Sequence, residues 1–206
     1  MLSALTELAA RMRACDVADW DRVAARFFDW ATQQDLRAAV RAYLDGLAGN
    51  AAAAVTAKSR ETTTHFAWCL LDRPEDGFSF WLHEYKPQQD WRIGYADSVH
   101  NHRYHFCTTI LRGRYVHERF TADVDPEGTE IRSATLLRSG VCGTGEAGMM
   151  LSEEFHRIPK AEDGTLTFLV KSRAIQPWSL SYDPITGTSR RHVPIEQRLG
   201  QLARHI

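Results

Sequence analysis

Apolar residues recur at helical spacing through the first third of the chain. Leu5, Leu8, Ala9 and Met12 form one stripe between Ser3 and Arg13, with Ser3 placed to cap it. Trp20, Val23, Ala24, Phe27, Phe28 and Trp30 form a second between Asp19 and Thr32. Leu36, Val40, Tyr43 and Leu44 form a third between Asp35 and Leu47, and Gly49 supplies a stop. The alanines from Ala51 to Ala54 either prolong a helix or make a loose connector.

Near Thr62 the pattern changes to strands and turns. Thr63 to Leu71 is β-branched and aromatic, and Phe78, Phe80 and Leu82 alternate with other residues after the turn Pro74-Glu75-Asp76-Gly77. Further strands are predicted at Tyr104–Phe120 (punctuated by Gly113), Ala134–Leu137, Met149–Ile158, Thr165–Val170 and Trp178–Tyr182. Turns rich in Asp, Pro and Gly separate them. Many short strands at near-regular spacing predict a sandwich or a barrel. The expected organisation is a helical segment over residues 1–61 and a mainly β domain over 62–206, with a short terminal helix from Ile195 to His205. The helical stripes are expected to pack on the outside of the β domain or to mediate a homodimer.

Composition narrows the function classes. A net charge of −1 over 206 residues gives no electrostatic footprint for nucleic acid or an anionic membrane surface. No stretch reaches the apolar length of a membrane span, and the first residues lack the basic start and apolar run of a secretory signal, so a cytoplasmic location is expected. Cys15, Cys69, Cys107 and Cys142 are scattered with no C-x-x-C pair, which argues against a disulfide framework or a zinc ribbon. There is no Gly-x-Ser-x-Gly elbow, Walker loop or dinucleotide glycine fingerprint.

The candidate chemistry lies in Gly94-Tyr95-Ala96-Asp97-Ser98-Val99-His100-Asn101-His102-Arg103-Tyr104-His105-Phe106-Cys107. Residues two apart on a strand face the same way, so His100 and His102 can aim both imidazoles at one point. A third ligand from a distant strand would complete a facial triad with open positions. His105 has the opposite parity and ranks below them as a ligand. A bare His-x-His pair is otherwise just two exposed polar residues.

This segment resembles the first motif of the cupin superfamily: a glycine, five residues, His-x-His, three or four residues, a glutamate, six residues and a glycine. Gly94, His100, His102 and Gly113 fit that frame, whereas Phe106, or Cys107 under the longer spacing, stands in place of the glutamate. The second cupin motif is matched at Gly145 and His156. Leu151, Glu153 and Lys160 replace its proline, second glycine and asparagine. The resemblance implies a double-stranded β-helix (jelly-roll) barrel over about residues 62–192, with His100, His102 and His156 as metal ligands. A three-histidine site without the glutamate is similar to that of the thiol dioxygenases, such as cysteine dioxygenase. That likeness implies Fe(II), with Zn, Ni or Mn as alternatives, and dioxygen acting with a small polar substrate (an amino acid, amine or thiol). It also implies roles for Cys107 and Tyr182, because a cysteine cross-links to a tyrosine beside the iron in some of those enzymes. The plain reading of the pair is a buried hydrophobe and a barrel-wall residue.

The expected substrate-binding residues are Arg92 and Lys86, which could clamp a carboxylate, with Tyr104 and Arg157 flanking the ligands. His105 is the remaining catalytic candidate. Trp68, Trp81, Trp91 and Trp178 are expected in the core and pocket walls, His117 on the barrel surface, and His65 outside any site. An isomerase, lyase or decarboxylase without dioxygen, or a non-catalytic small-molecule-binding cupin, are the alternatives.

Overall fold

The computed structural model describes residues 4–16, 18–92, 94, 97–194, 202 and 204. Four helices come first: α1 (Ala4–Arg13), α2 (Trp20–Thr32), α3 (Leu36–Asp45) and α4 (Asn50–Lys58). The Asp19 and Asp35 carboxylates cap α2 and α3 by accepting from the Arg22 and Ala38 backbone N–H groups at 3.1 and 3.0 Å. The alanine run is helical, as part of α4. The terminal helix expected over residues 195–205 falls almost wholly outside the described residues.

Twelve strands follow: β1 (Arg60–Glu61), β2 (His65–Asp72), β3 (Phe78–Tyr85), β4 (Val99–His100), β5 (Phe106–Arg112), β6 (Arg114–Val124), β7 (Ile131–Gly143), β8 (Ala147–Met150), β9 (Phe155–Ala161), β10 (Leu166–Ser172), β11 (Ser179–Asp183) and β12 (Thr188–His192). They form two six-stranded antiparallel sheets, ordered β1-β2-β3-β10-β5-β8 and β12-β11-β4-β9-β6-β7. The pairings β3–β10, β4–β9, β5–β8 and β6–β7 are nested. A ribbon folded at the β6–β7 turn, with its four strand pairs dealt alternately to two sheets, is a jelly roll. The fold class expected from the sequence is therefore the observed one.

Three sequence readings are refined. The long β segment around Gly113 is two strands on different sheets, β5 and β6, joined at Gly113. The segment from Met149 to Ile158 is two strands on different sheets, joined by a turn over residues 151–154. The strand carrying the first two histidines is only Val99–His100, so His102 lies beyond its end.

Alternation along the strands assigns the faces. Phe78, Phe80 and Leu82 of β3, Cys107 and Leu111 of β5, and Phe168 and Val170 of β10 are buried in one apolar cluster with Leu8, Met12, Val23, Phe27 and Trp30 of the helices. The helical stripes are thus covered by the outer face of the first sheet. The positions between them in these strands face the second sheet across an internal cavity. Among the described residues no helix is long and apolar enough to cross a membrane, and all four cysteines are free thiols.

Candidate metal centre

Strand pairing brings the first and third histidines together. His100 on β4 lies opposite His156 on β9 and, on its other side, opposite Ser181 on β11. Residues opposite each other in an antiparallel pair share a face. Asn101 is tied to β11 in both directions: its N–H donates to the Leu180 carbonyl at 3.2 Å, and its Oδ1 accepts from the Leu180 N–H at 2.7 Å. That clamp fixes the chain between the two histidines. His102 then reaches the cluster from past the strand end, stacked on Tyr104 (ring centroids 5.2 Å apart) and edge-on to Phe106 (5.0 Å).

One nitrogen from each of His100, His102 and His156 lies within 4.8 Å of the other two. The Nε2 atoms of His102 and His156 are 2.9 Å apart. Two nitrogens each about 2.1 Å from one ion at roughly a right angle are separated by about 3 Å. The ring nitrogens are also held in a suitable tautomer. The His100 Nδ1 is 2.8 Å from the Ser98 carbonyl, which only accepts, so Nδ1–H donates and Nε2 keeps its lone pair. The His156 Nδ1 is 3.0 Å from the His117 Nε2, which can accept from it and leave the His156 Nε2 free to ligate.

Burial sets the charge. It pushes His100 down to about 4, and His102 and His156 well below the ordinary histidine range, the last two further lowered by the neighbouring imidazoles. All three are therefore neutral at physiological pH, the form that binds a metal. The donor set fits a divalent ion that accepts imidazole, such as iron, zinc or nickel. Where the cupin frame has a glutamate, Phe106 packs its ring 5.0 Å from His102 and 6.0 Å from His156. That flank of the cluster is an apolar wall.

The other expected site residues divide sharply. Tyr104 lines the cavity. Cys107 does not: it is fully buried on the opposite face of β5, in the helix-covered core, where burial pushes its thiol up to about 12. Tyr182 lies opposite Val99 and packs with Leu180, Ile131 and Phe155 on the outer face of the second sheet. The two are on the outward faces of different sheets, so a cross-link beside the metal is corrected. His105 also turns away, accepting from the Ser152 N–H at 2.8 Å beside Trp20. The carboxylate clamp is misplaced too. Lys86 donates to Glu61 at 2.8 Å and to the Thr62 carbonyl at 2.7 Å, and the exposed Arg92 pairs with the same Glu61. Arg157 pairs with Glu118 at 2.6 Å and covers Phe120. None of these three lines the cavity.

The cavity measures about 790 Å³. Among the described residues, six lysine or arginine side chains line it against two carboxylates, Asp72 and Glu146. Two histidines that the sequence reading kept out of the site, His117 and His65, stand in its walls, with Lys171, which it did not mention. His117 is an inward residue of β6 in contact with His156, not a surface one. His65 stacks on His83 at 4.2 Å, and both line the cavity with Trp81 and Lys171. A signal for them was present. Ser79, Trp81 and His83 alternate with the apolar residues of β3, and Thr167, Leu169 and Lys171 with those of β10. The apolar set faces the helices, which leaves the mixed set for the interior.

No family model matches the chain, and no curated protein matches it. Among solved structures it is similar to oxalate decarboxylase from Bacillus subtilis, at 18% identity and a TM-score of 0.37, covering 55% of this chain and 26% of that one. It is also similar to the DMSP lyase DddQ from Ruegeria pomeroyi, at 13% identity and a TM-score of 0.40, covering 65% of this chain and 64% of that one. The chain spans about a quarter of the length of that decarboxylase.

Proposed function

We propose that this chain is a metal-dependent enzyme of the cupin type, holding one divalent ion on His100, His102 and His156 and acting on a small polar molecule inside the jelly roll. The observation that carries the reading is the convergence of three neutral imidazoles on one point of a buried cavity, with two ligating nitrogens 2.9 Å apart. Held by neutral ligands alone, such an ion keeps its full charge and open positions, and supplies Lewis-acid polarisation or, with iron, dioxygen chemistry. The protein's own residues do the rest. Ser98 and His117 orient the His100 and His156 rings, and Phe106 excludes a fourth protein ligand and water from one flank.

Two reaction types suit this arrangement. Non-oxidative turnover, as a lyase, decarboxylase or isomerase, is favoured by the placement of Cys107 and Tyr182 away from the cluster, which removes the feature that pointed to thiol oxidation. Iron-dependent oxygenation of an amino acid, amine or thiol is the second. The test is turnover of a panel of amino acids, thiols and carboxylic acids by metal-loaded protein, with and without air, with oxygen uptake recorded. Product formed anaerobically establishes the first, and substrate-dependent uptake the second. Tight binding without turnover of any compound would make the chain a binding module and overturn the enzyme reading.

A further inference from the structure

Lys171 is the least ordinary residue in the cavity. It sits on β10 with 4% of its surface exposed and lines the same cavity as the three histidines. A lysine ammonium carries three donors. One of them reaches the His83 Nε2 at 3.3 Å. Among the described residues no carboxylate pairs with it, although Asp72 of the same cavity is paired with Lys58 and Arg173. The remaining surroundings are ring faces: Trp81, with its centroid 4.2 Å from Nζ, and Tyr104 at 5.1 Å.

An isolated buried cation is costly unless it is paired. Ring faces attract a cation but cannot accept its hydrogen bonds as an anion does. Tyr104 also stacks on His102, so one ring separates the lysine from the cluster. Arg60 adds a second cation 5.1 Å from the Trp81 ring.

We infer that Lys171 is the anchor for a carboxylate of the substrate: a small organic anion is held by the ammonium within the Trp81–Tyr104 box, while its other end reaches the three-histidine cluster. This deepens the proposed function and rests on it for the second half of the statement. Burial pushes the lysine well below its ordinary range, and a carboxylate bound beside it would restore the charged form. The anchor expected from sequence at Lys86 and Arg92 is thus moved to Lys171 on β10, which among the described residues has no carboxylate partner.

The experiment is calorimetric titration of the full chain, metal-loaded and after chelation, with acetate, propionate and malonate, and with propionamide as the uncharged control. Wild type should bind at least one carboxylate and discriminate against the amide. Lys171→Met should weaken that binding by about tenfold or more at unchanged metal content, the loss of one charge-assisted contact. Lys171→Arg, which keeps the charge, should lose less, and it keeps the test valid if the Met variant does not fold. Equal binding by Lys171→Met and wild type, equal binding of the amide, or no carboxylate binding by wild type would each overturn the inference. Lysine-dependent carboxylate binding in a chain that never holds a metal would instead uphold the anchor and defeat the metal reading.

Discussion

The His117 Nε2 lies 3.0 Å from the His156 Nδ1, so the third histidine of the cluster is oriented by a fourth that belongs to a neighbouring strand. On β6, Arg119 pairs with His156 across the ladder and His117 is two positions earlier, on the same face. The contact therefore follows from register. Groups that orient a ligand in this way typically govern metal affinity by about 10–100-fold. His117→Phe should weaken metal binding by that order while leaving the thermal transition of the metal-free protein nearly unchanged, which competition with a chromophoric chelator would measure. Unchanged affinity would mean that His156 needs no partner.

His105 provides the control for the cluster. Its ring accepts from the Ser152 backbone on the helix-facing side of the sheet. His105→Ala should keep the metal and lower stability by about 1–3 kcal/mol, the cost of an unsatisfied buried donor. Metal analysis and urea unfolding of the same sample separate the two effects. Loss of metal from this variant would show that the wrong histidines have been grouped.

Cys107 makes the opposite prediction from the one its sequence position invites. It is fully buried in the helix–sheet core. Cys107→Ser should lower stability by about 1–3 kcal/mol by burying a hydroxyl, with metal content and any activity of the folded fraction unchanged. A selective loss of activity at full stability would return the thiol to the site.

Gly113 is required by its backbone and by its neighbour. It turns the chain from β5 in the first sheet to β6 in the second at φ 75°, and a Cβ there would meet Thr165 Oγ1 at 2.5 Å and the Thr165 Cα at 3.1 Å. Gly113→Ala should cost more than about 1 kcal/mol, read from the shift in denaturation midpoint. The last glycine of the motif is therefore structural, and an alanine tolerated at full stability would contradict this.

The pH dependence follows from the buried imidazoles. Burial lowers His65 to about 3 and His100 to about 4, while in the unfolded chain each titrates near about 6.5. Between these values the unfolded state binds more protons, so stability rises with pH in this window and is lost as the pH falls from about 6.5 towards 4. The Tm of metal-free protein should drop steeply across that interval and be level above about pH 7. A flat profile would mean that the histidines are solvated.

Much of the architecture was legible because helical and strand periodicities differ so plainly. Leu5, Leu8 and Met12, or Phe78, Phe80 and Leu82, announce their buried faces. His100 and His102 were legible from spacing, and His156 only through the weak second motif. Lys171 was not singled out, and His117 was expected on the barrel surface. Their roles depend on which face of each sheet the helices cover, a tertiary fact that alternation cannot assign. Cys107 and Tyr182 misled for the same reason. Each lies at a plausible place in the sequence, and each points outward because its neighbour takes the inward face: Phe106 lines the cavity and Ser181 lies opposite His100.

The most direct test is the metal content of the wild-type chain against His102→Ala, both purified without added metal and quantified by mass spectrometry, with circular dichroism to check the fold. Near one divalent ion per wild-type chain, lost in a variant that keeps its β spectrum, is the expected result. Equal metal content in the two, or none in wild type after exposure to iron, zinc, nickel and manganese, would contradict a centre built on His100, His102 and His156.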